Sequence, residues 1–187
     1  MLTVALFLQH LELAFRLTAA VPSLDPATAF AHAVAANEAH SDAVEPELLL
    51  AMAYIESRYD PTSLSRVEGE KRRTGPWRAK VPPRAMDRRA SMFCGPLQTH
   101  ARTWKQCLEQ RQLAVAYPKA VSELEDWLRD RRVRGRLMKA LAGYGCGNHG
   151  VNTGKCNRYP ERVLRMKRKI SQGAAPPRAT RRVLAGS

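Results

Sequence analysis

Apolar residues recur every three or four positions over most of the chain, which is the spacing of one buried helix face. The first such stretch ends at Val21, just before Pro22. Polar residues interrupt it and its first residues carry no basic side chain, so it favours an amphipathic helix packed on the body over a cleaved signal peptide. Its apolar positions are Leu2, Leu6, Phe7, Leu13, Phe15 and Leu17.

Two further helices follow in the first third of the chain. Asp25 is a suitable N-cap and Pro26 suits the first helical position, which predicts a helix through Ala39. Another begins at Glu45-Pro46 and reaches Ser57. Its apolar residues lie on more than one face, so we expect this helix to be deeply buried.

The second half of the chain predicts four more helices, over 97–111, 120–131, 133–144 and 160–170. A glycine-rich loop is expected between the last two, and no segment alternates as a strand would. Prolines, glycines and arginines fill 60–93, which predicts a long basic loop. We therefore expect a mainly α protein with N-terminal helices over 1–43, a main domain over 44–170 and a basic, disordered tail over 171–187.

Charge is divided unevenly along the chain. The whole sequence carries a net charge of +14, yet residues 1–70 carry −7. Residues 71–89, 90–156 and 157–187 carry +7, +6 and +8. A basic surface attracts polyanions, so nucleic acid, anionic membrane and bacterial wall are all candidate partners. No apolar run is long enough to span a membrane.

Four cysteines are present: Cys94, Cys107, Cys146 and Cys156. Their spacing fits no standard zinc pattern, so two disulfides or four buried thiols are favoured over a metal site. Four cysteines allow three disulfide pairings. Cys146 with Cys156 is the simplest pair, because this bond would link the two ends of the glycine-rich stretch. Disulfides would indicate an oxidising compartment.

Glu56 is the leading candidate for chemistry. It ends the most apolar helix, where burial and the negative end of the helix dipole both raise the pKa of a carboxyl group. A carboxylic acid that stays protonated near neutral pH is suited to general acid catalysis. Arg58 could oppose this effect, and an ordinary surface glutamate is the simpler alternative.

Three later motifs favour the catalytic interpretation of Glu56 over that of a surface glutamate. Gly95-Pro96-Leu97-Gln98 predicts a turn that feeds a helix and directs the Gln98 amide at a neighbouring site. Gly143-Tyr144-Gly145-Cys146-Gly147 places Tyr144 where a helix meets a glycine-rich loop. Tyr159 precedes the last helix. Each motif alone is weak evidence for a functional site, because a glycine after a helix usually ends that helix and a single tyrosine usually packs in the hydrophobic core.

In this order the motifs resemble the SLT-type lytic transglycosylases, relatives of goose-type lysozyme, over roughly residues 44–166. The most specific part is residues 48–59, Leu-Leu-Leu-Ala-Met-Ala-Tyr-Ile-Glu-Ser-Arg-Tyr. The resemblance implies a lysozyme-like helical domain with a cleft, interrupted here by the long basic loop. It also implies peptidoglycan glycan strands as substrate and requires no cofactor and no metal.

The mechanism that the resemblance implies uses one carboxyl group. Glu56 would protonate the oxygen between MurNAc and GlcNAc and then accept the proton of the MurNAc C6 hydroxyl, giving a 1,6-anhydro sugar. Ser57 and Gln98 would orient the substrate or Glu56, Tyr144 would contact the cleft near the acid, and Tyr159 would line it. An ordinary glycosidase needs two carboxylates.

Hydrolysis, as in goose-type lysozyme, stays open as an alternative. Asp60, Glu68, Glu70 and Asp87 lie in or beside the long loop, and one of them could position a water molecule.

Three departures bear on substrate preference and rate. The segment between Glu56 and Gly95 is longer and more basic than the family usually has. Gly145 stands where asparagine is usual, and Pro96 stands where leucine is usual.

The basic loop and tail have two interpretations beside that of a solvated face. They could hold an enzyme on anionic wall polymers, or they could bind nucleic acid, which the scarcity of aromatic residues and of known motifs disfavours. A structural protein of a phage particle or secretion apparatus is a third possibility for the whole chain. The expected place of action is the bacterial wall or periplasm. The sequence shows no convincing signal peptide, so delivery by a phage particle or secretion apparatus stands beside ordinary secretion as a route.

Overall fold

A computed structural model describes residues 4–67 and 91–173, and this part of the chain is mainly helical. Within it, the helices are α1 (Val4–Ala20), α2 (Pro26–Ala39), α3 (Pro46–Ser57), α4 (Trp104–Glu109), α5 (Leu113–Arg129), α6 (Leu137–Thr153) and α7 (Tyr159–Gln172). Three short strands, β1 (Leu64–Val67), β2 (Ser91–Cys94) and β3 (Thr99–Ala101), form an antiparallel sheet in that order. No described helix has the length and apolar character needed to cross a membrane.

The first three helices lie where the hydrophobic pattern predicts them. The Asp25 side chain accepts a hydrogen bond from the Thr28 amide, so it caps α2 as expected. α3 is buried along six consecutive residues, 48–53. α1 packs on α2 and α7, and its Leu13 and Leu17 belong to the same hydrophobic core as α3.

The sequence shows no strand-like alternation, yet the described residues form three short strands. β1 and β2 lie in the stretch assigned to a long loop, whose residues 68–90 lie outside the described part. Leu64 faces Cys94 across the first ladder, and Cys94 faces Thr99 across the second. With three or four residues each, the strands are too short to show a clear alternation of apolar and polar side chains.

The helix predicted over 97–111 is confirmed only over Trp104–Glu109, and the part before it is not helical. Gln98 has a φ of 49°, outside the helical region, and β3 follows it at once. Thr103 then caps the short helix α4 by accepting a hydrogen bond from the Gln106 amide. The buried positions of these two elements are Thr99 and Ala101 on one face of β3 and Cys107 in α4.

Boundaries in α5 and α6 differ from the expectation. α5 begins at Leu113 and continues past the exposed Pro118. α6 begins only at Leu137, because Arg134 and Gly135 both have positive φ. It continues through most of the segment predicted as a glycine-rich loop, to Thr153, with one break at Gly147, where φ is 58°. The disordered tail predicted from 171 is wrong at its start, because α7 continues to Gln172, and from 174 onward it lies outside the described residues.

Both disulfides that the cysteine count allows are present, as Cys94–Cys107 and Cys146–Cys156. The second is the pair favoured from the sequence, and together they leave no free thiol. The zinc alternative is therefore wrong for the cysteines, and no cluster of three candidate metal ligands occurs in the described ranges. Disulfides are compatible with an extracellular or periplasmic location.

Candidate active site

Glu56 lies in the last turn of α3, and an unusual backbone turn fixes the end of that helix. Arg58 and Tyr59 have φ values of 60° and 67°, a left-handed conformation that is uncommon for residues other than glycine. The turn packs Tyr59 back against α3, where its hydroxyl donates a hydrogen bond to the Leu50 carbonyl at 3.0 Å. Its ring also packs against that of His32, with centroids 4.8 Å apart. These contacts hold the helix end, and with it the position of Glu56.

Burial raises the pKa of the Glu56 carboxyl from 4.5 to about 7, because desolvation disfavours the charged form. The Tyr159 hydroxyl and the Arg162 guanidinium lower that pKa, but their effects are smaller. Arg58, which the sequence suggested as the opposing charge, instead places its guanidinium 4.1 Å from the centre of the Tyr54 ring. Glu56 can therefore be protonated in a substantial fraction of molecules near neutral pH.

Tyr159, the first residue of α7, faces this carboxyl. Its hydroxyl is buried and meets no partner at full hydrogen-bond geometry among the described residues. It is nevertheless close enough to Glu56 to favour the charged carboxylate, and the same proximity helps to raise the pKa of the tyrosine. The buried Tyr159 hydroxyl therefore lies beside the candidate acid.

Gly145 explains one departure from the family pattern. A Cβ at this position would lie 2.7 Å from the Tyr159 ring, closer than side chains pack. An asparagine in this backbone position would displace the ring that faces Glu56. The absence of a side chain at 145 is therefore linked to the placement of Tyr159.

Ser57 and Tyr144 hold the turn between β2 and β3. Ser57 Oγ donates to the Pro96 carbonyl at 2.8 Å, and Tyr144 Oη donates to the Leu97 carbonyl at 2.7 Å. Tyr144 also lies near Glu56, whose charge helps to raise the tyrosine pKa, although burial has the larger effect. The structure therefore brings Glu56, Tyr144 and Tyr159 together, while the hydroxyls of Ser57 and Tyr144 position backbone.

Gln98 is held within the same turn. Its Nε2 donates to the Gly95 carbonyl at 2.8 Å, and its Oε1 accepts from Ser65 Oγ at 2.7 Å. Gly95 cannot carry a side chain here, because its φ is 75° and a Cβ would lie 2.0 Å from the Gln110 carbonyl oxygen. The amide that was expected to reach a neighbouring site is thus used to join the turn to β1.

Both disulfides attach to these motifs. Cys94 immediately precedes Gly95, and Cys146 immediately follows Gly145. Cys156 accepts the hydrogen bond of the Tyr159 amide at 2.7 Å through its carbonyl. The covalent links therefore restrain the turn at 95–98 and the approach of Tyr159 to Glu56.

Sequence reasoning missed two charged residues of this region. Glu123 on α5 accepts a hydrogen bond from the His100 amide at 3.2 Å, and its charge raises the pKa of Tyr144. Arg162 on α7 acts on Glu56 itself. Both lie on amphipathic helices among many other charges, so the sequence offers no signal that separates them from surface residues.

Of the four acids suggested as a second carboxylate, the structure describes only Asp60. Asp60 accepts hydrogen bonds from the amide and hydroxyl of Thr62, so it stabilises the turn after α3. Glu68, Glu70 and Asp87 lie outside the described residues.

Comparisons with family models, with curated protein sequences and with solved structures each gave no significant match, so the site rests on its own geometry.

Proposed function

We propose that this protein is a lytic transglycosylase with a lysozyme-like fold that cleaves the β-1,4 bond between MurNAc and GlcNAc in peptidoglycan. The observation that carries the proposal is the Glu56 carboxyl, whose pKa is raised to about 7 at the end of a buried helix. Tyr144 and Tyr159, two of the four accessory residues that the ordered motifs imply, lie beside it.

The chemistry needs one proton carrier. Protonated Glu56 gives its proton to the glycosidic oxygen as the C1–O bond breaks. The C6 hydroxyl of the same MurNAc then attacks C1 and returns its proton to Glu56. The product is a 1,6-anhydro sugar, no water is consumed and Glu56 is regenerated. A carboxyl pKa close to 7 suits both steps, because neither the acid nor the base form is rare at neutral pH.

Hydrolysis is the second candidate, and Glu123 is the observation that favours it. This carboxylate lies near Tyr144, and burial raises its pKa too. If it held a water molecule on the far side of the sugar, the product would carry a reducing end. The hydrogen bond that it accepts from the His100 amide instead favours a role in joining α5 to the sheet, and its ion pair with Lys119 lies within α5.

Clearing of purified peptidoglycan by the wild type and by Glu56→Gln tests the proposal. We expect a loss of activity of at least about a hundredfold in the variant, since it removes the acid and base together. The matched control is Glu38→Gln, an exposed position on α2, which we expect to clear peptidoglycan at the wild-type rate. A folded Glu56→Gln protein that still clears peptidoglycan would overturn the proposal.

A further inference from the structure

A groove of about 460 Å³ runs between α3 and α7, and Glu56 is not among the residues that line it. Its α3 side consists of Tyr54, Ile55 and Arg58, the last of which directly follows the helix. Its α7 side includes Met166 and four cations. The volume lies within the range of ligand-binding clefts. The groove is therefore a surface distinct from the candidate acid.

Positive charge dominates this groove, since none of its lining residues is acidic and five are cations: Arg58, Arg162, Arg165, Arg168 and Lys169. The four on α7 follow one another along one side of the helix. Among the described residues, none of the five forms an ion pair, whereas Lys167, on another side of α7, pairs with Glu45 at 2.7 Å. The row of cations is thus available to a linear polyanion.

Arg58 adds a planar group to the groove. It has a φ of 60° at the end of α3, a position where glycine is usual, and its amide donates to the Tyr54 carbonyl at 3.1 Å. Its guanidinium lies over the Tyr54 ring, 4.1 Å from the ring centre. Because the Arg58 side chain is exposed, the tyrosine supports one face of the guanidinium and leaves the other for a further planar group.

We propose that the α3–α7 groove binds single-stranded nucleic acid, with phosphates along the α7 cations and one base on the Arg58 guanidinium. Nucleic acid combines a regular row of phosphates with planar bases, and bases stack on guanidinium groups as well as on aromatic rings. With about 1.5 Å of rise per residue, Arg162 and Lys169 are about 10 Å apart along the helix axis. This length matches about three phosphates of a stacked strand, which advances about 3.4 Å per phosphate.

The inference goes beyond the proposed function, because it requires neither cleavage nor contact with Glu56. A single strand is favoured over a duplex, whose paired bases are stacked inward and cannot reach Arg58. The basic loop and tail carry few aromatic residues, whereas the groove has Tyr54 beneath a guanidinium. A wall polymer with phosphates but no bases would use the same cations and leave the face of Arg58 unused, so the bases distinguish the two ligands.

Fluorescence anisotropy with two labelled probes of equal length tests the proposal. One probe is an oligothymidylate, and the other is an abasic oligonucleotide with the same number of phosphates. We expect the full chain to bind the oligothymidylate at least about fivefold more tightly, because a stacked base adds to the phosphate contacts. Arg58→Lys keeps the charge but removes the planar group, so we expect it to bind both probes with equal affinity.

Neutral residues on α7 should weaken the binding of both probes. Arg165→Gln with Arg168→Gln removes two exposed cations that line the groove. Each lost contact with a single-strand phosphate lowers the slope of log affinity against log salt by about 0.7, so we expect a fall of about 1.4. The matched control is Lys105→Gln with Arg131→Gln, which removes the same charge at exposed positions outside the groove and should leave the slope unchanged.

Three results would overturn the proposal. Equal binding of the wild type to the two probes would show that bases are not recognised and would reassign the groove to phosphate polymers. A base preference that persists in Arg58→Lys would place the stacked base elsewhere. A control pair that weakens binding as much as the α7 pair would show that affinity follows the net charge of the protein and not the groove.

Discussion

Gly145 lies against the face of Tyr159, and a Cβ at position 145 would stand only 2.7 Å from the ring. The contact joins α6 to the start of α7 at the point where Tyr159 faces Glu56. A glycine in the middle of a helical segment usually weakens it. Here it allows a close approach that places the tyrosine hydroxyl beside the candidate acid.

Gly145→Ala should therefore displace Tyr159. We expect a loss of about 1–3 kcal/mol in the free energy of unfolding, as for other overpacked sites, together with a fall in clearing activity. Urea denaturation and the clearing assay measure the two effects. Gly154→Asn is the control, because position 154 is open and asparagine tolerates its left-handed backbone. Wild-type stability and activity in Gly145→Ala would contradict the assigned contact.

Tyr159→Phe should raise the pKa of Glu56 further. The hydroxyl favours the charged carboxylate, so its removal leaves the protonated form more stable. We expect the alkaline side of the pH–rate profile to move to higher pH, with little loss of stability because the hydroxyl lacks a full hydrogen bond. An unchanged profile, or a shift to lower pH, would show that the hydroxyl does not act on Glu56.

The raised pKa of Glu56 also makes folding stability depend on pH. Between pH 4.5 and about 7, the folded protein keeps a proton that the unfolded chain has lost, so stability falls as pH rises through this window and then levels off. Glu56→Gln should remove this slope and be up to about 3 kcal/mol more stable than wild type at pH 8. Urea denaturation of both proteins at pH 5 and pH 8 measures the difference.

His32 changes the slope in the opposite direction, because burial lowers its pKa to about 4 and stability is lost as pH falls below 6.5. His32 contributes equally to the wild type and to Glu56→Gln, so it cancels in the difference between their free energies of unfolding. An equal stability difference between the two proteins at both pH values would show that the pKa of Glu56 is not raised.

Loss of the Cys146–Cys156 disulfide should reduce both stability and activity. Its closed loop of ten residues predicts a cost of about 3 kcal/mol from chain entropy when both cysteines are replaced by serine. Activity should fall because Cys156 holds the Tyr159 amide. The measurement compares this double variant with the wild type at a temperature where both are folded, and full activity there would contradict the positioning role.

Glu123→Gln distinguishes the one-carboxylate mechanism from hydrolysis. We expect it to retain clearing activity within about tenfold, because the glutamine oxygen can still accept from the His100 amide. Loss of activity comparable to that of Glu56→Gln, with the protein folded, would identify Glu123 as a second essential carboxylate.

The sequence predicted the helical elements well where burial repeats over three or more turns, as in α2 and α3. It failed over 97–111 because the conformation there depends on contacts from distant segments. Ser57 and Tyr144 each hold a carbonyl of the turn, and Ser65 holds Gln98. None of these partners is adjacent in sequence, so local periodicity could not reveal the hairpin.

Only part of the candidate site could be predicted, because its other residues are brought together by contacts between segments distant in sequence. Glu56 stands out because a charged residue ends a strongly apolar helix. Arg162 and Glu123 do not stand out, since their importance depends on how α7 and α5 pack against α3 and α6. The role of Gly145 likewise becomes visible only when the Tyr159 ring is in place.

The most direct test of the central claim is the mass of the fragments released from purified peptidoglycan. The account predicts fragments one water lighter than those made by a hydrolysing lysozyme, present with wild-type protein and with Glu38→Gln and absent with Glu56→Gln. Fragments with ordinary reducing ends would contradict the transglycosylase reaction. No fragments from folded wild-type protein would contradict enzymatic cleavage of peptidoglycan altogether.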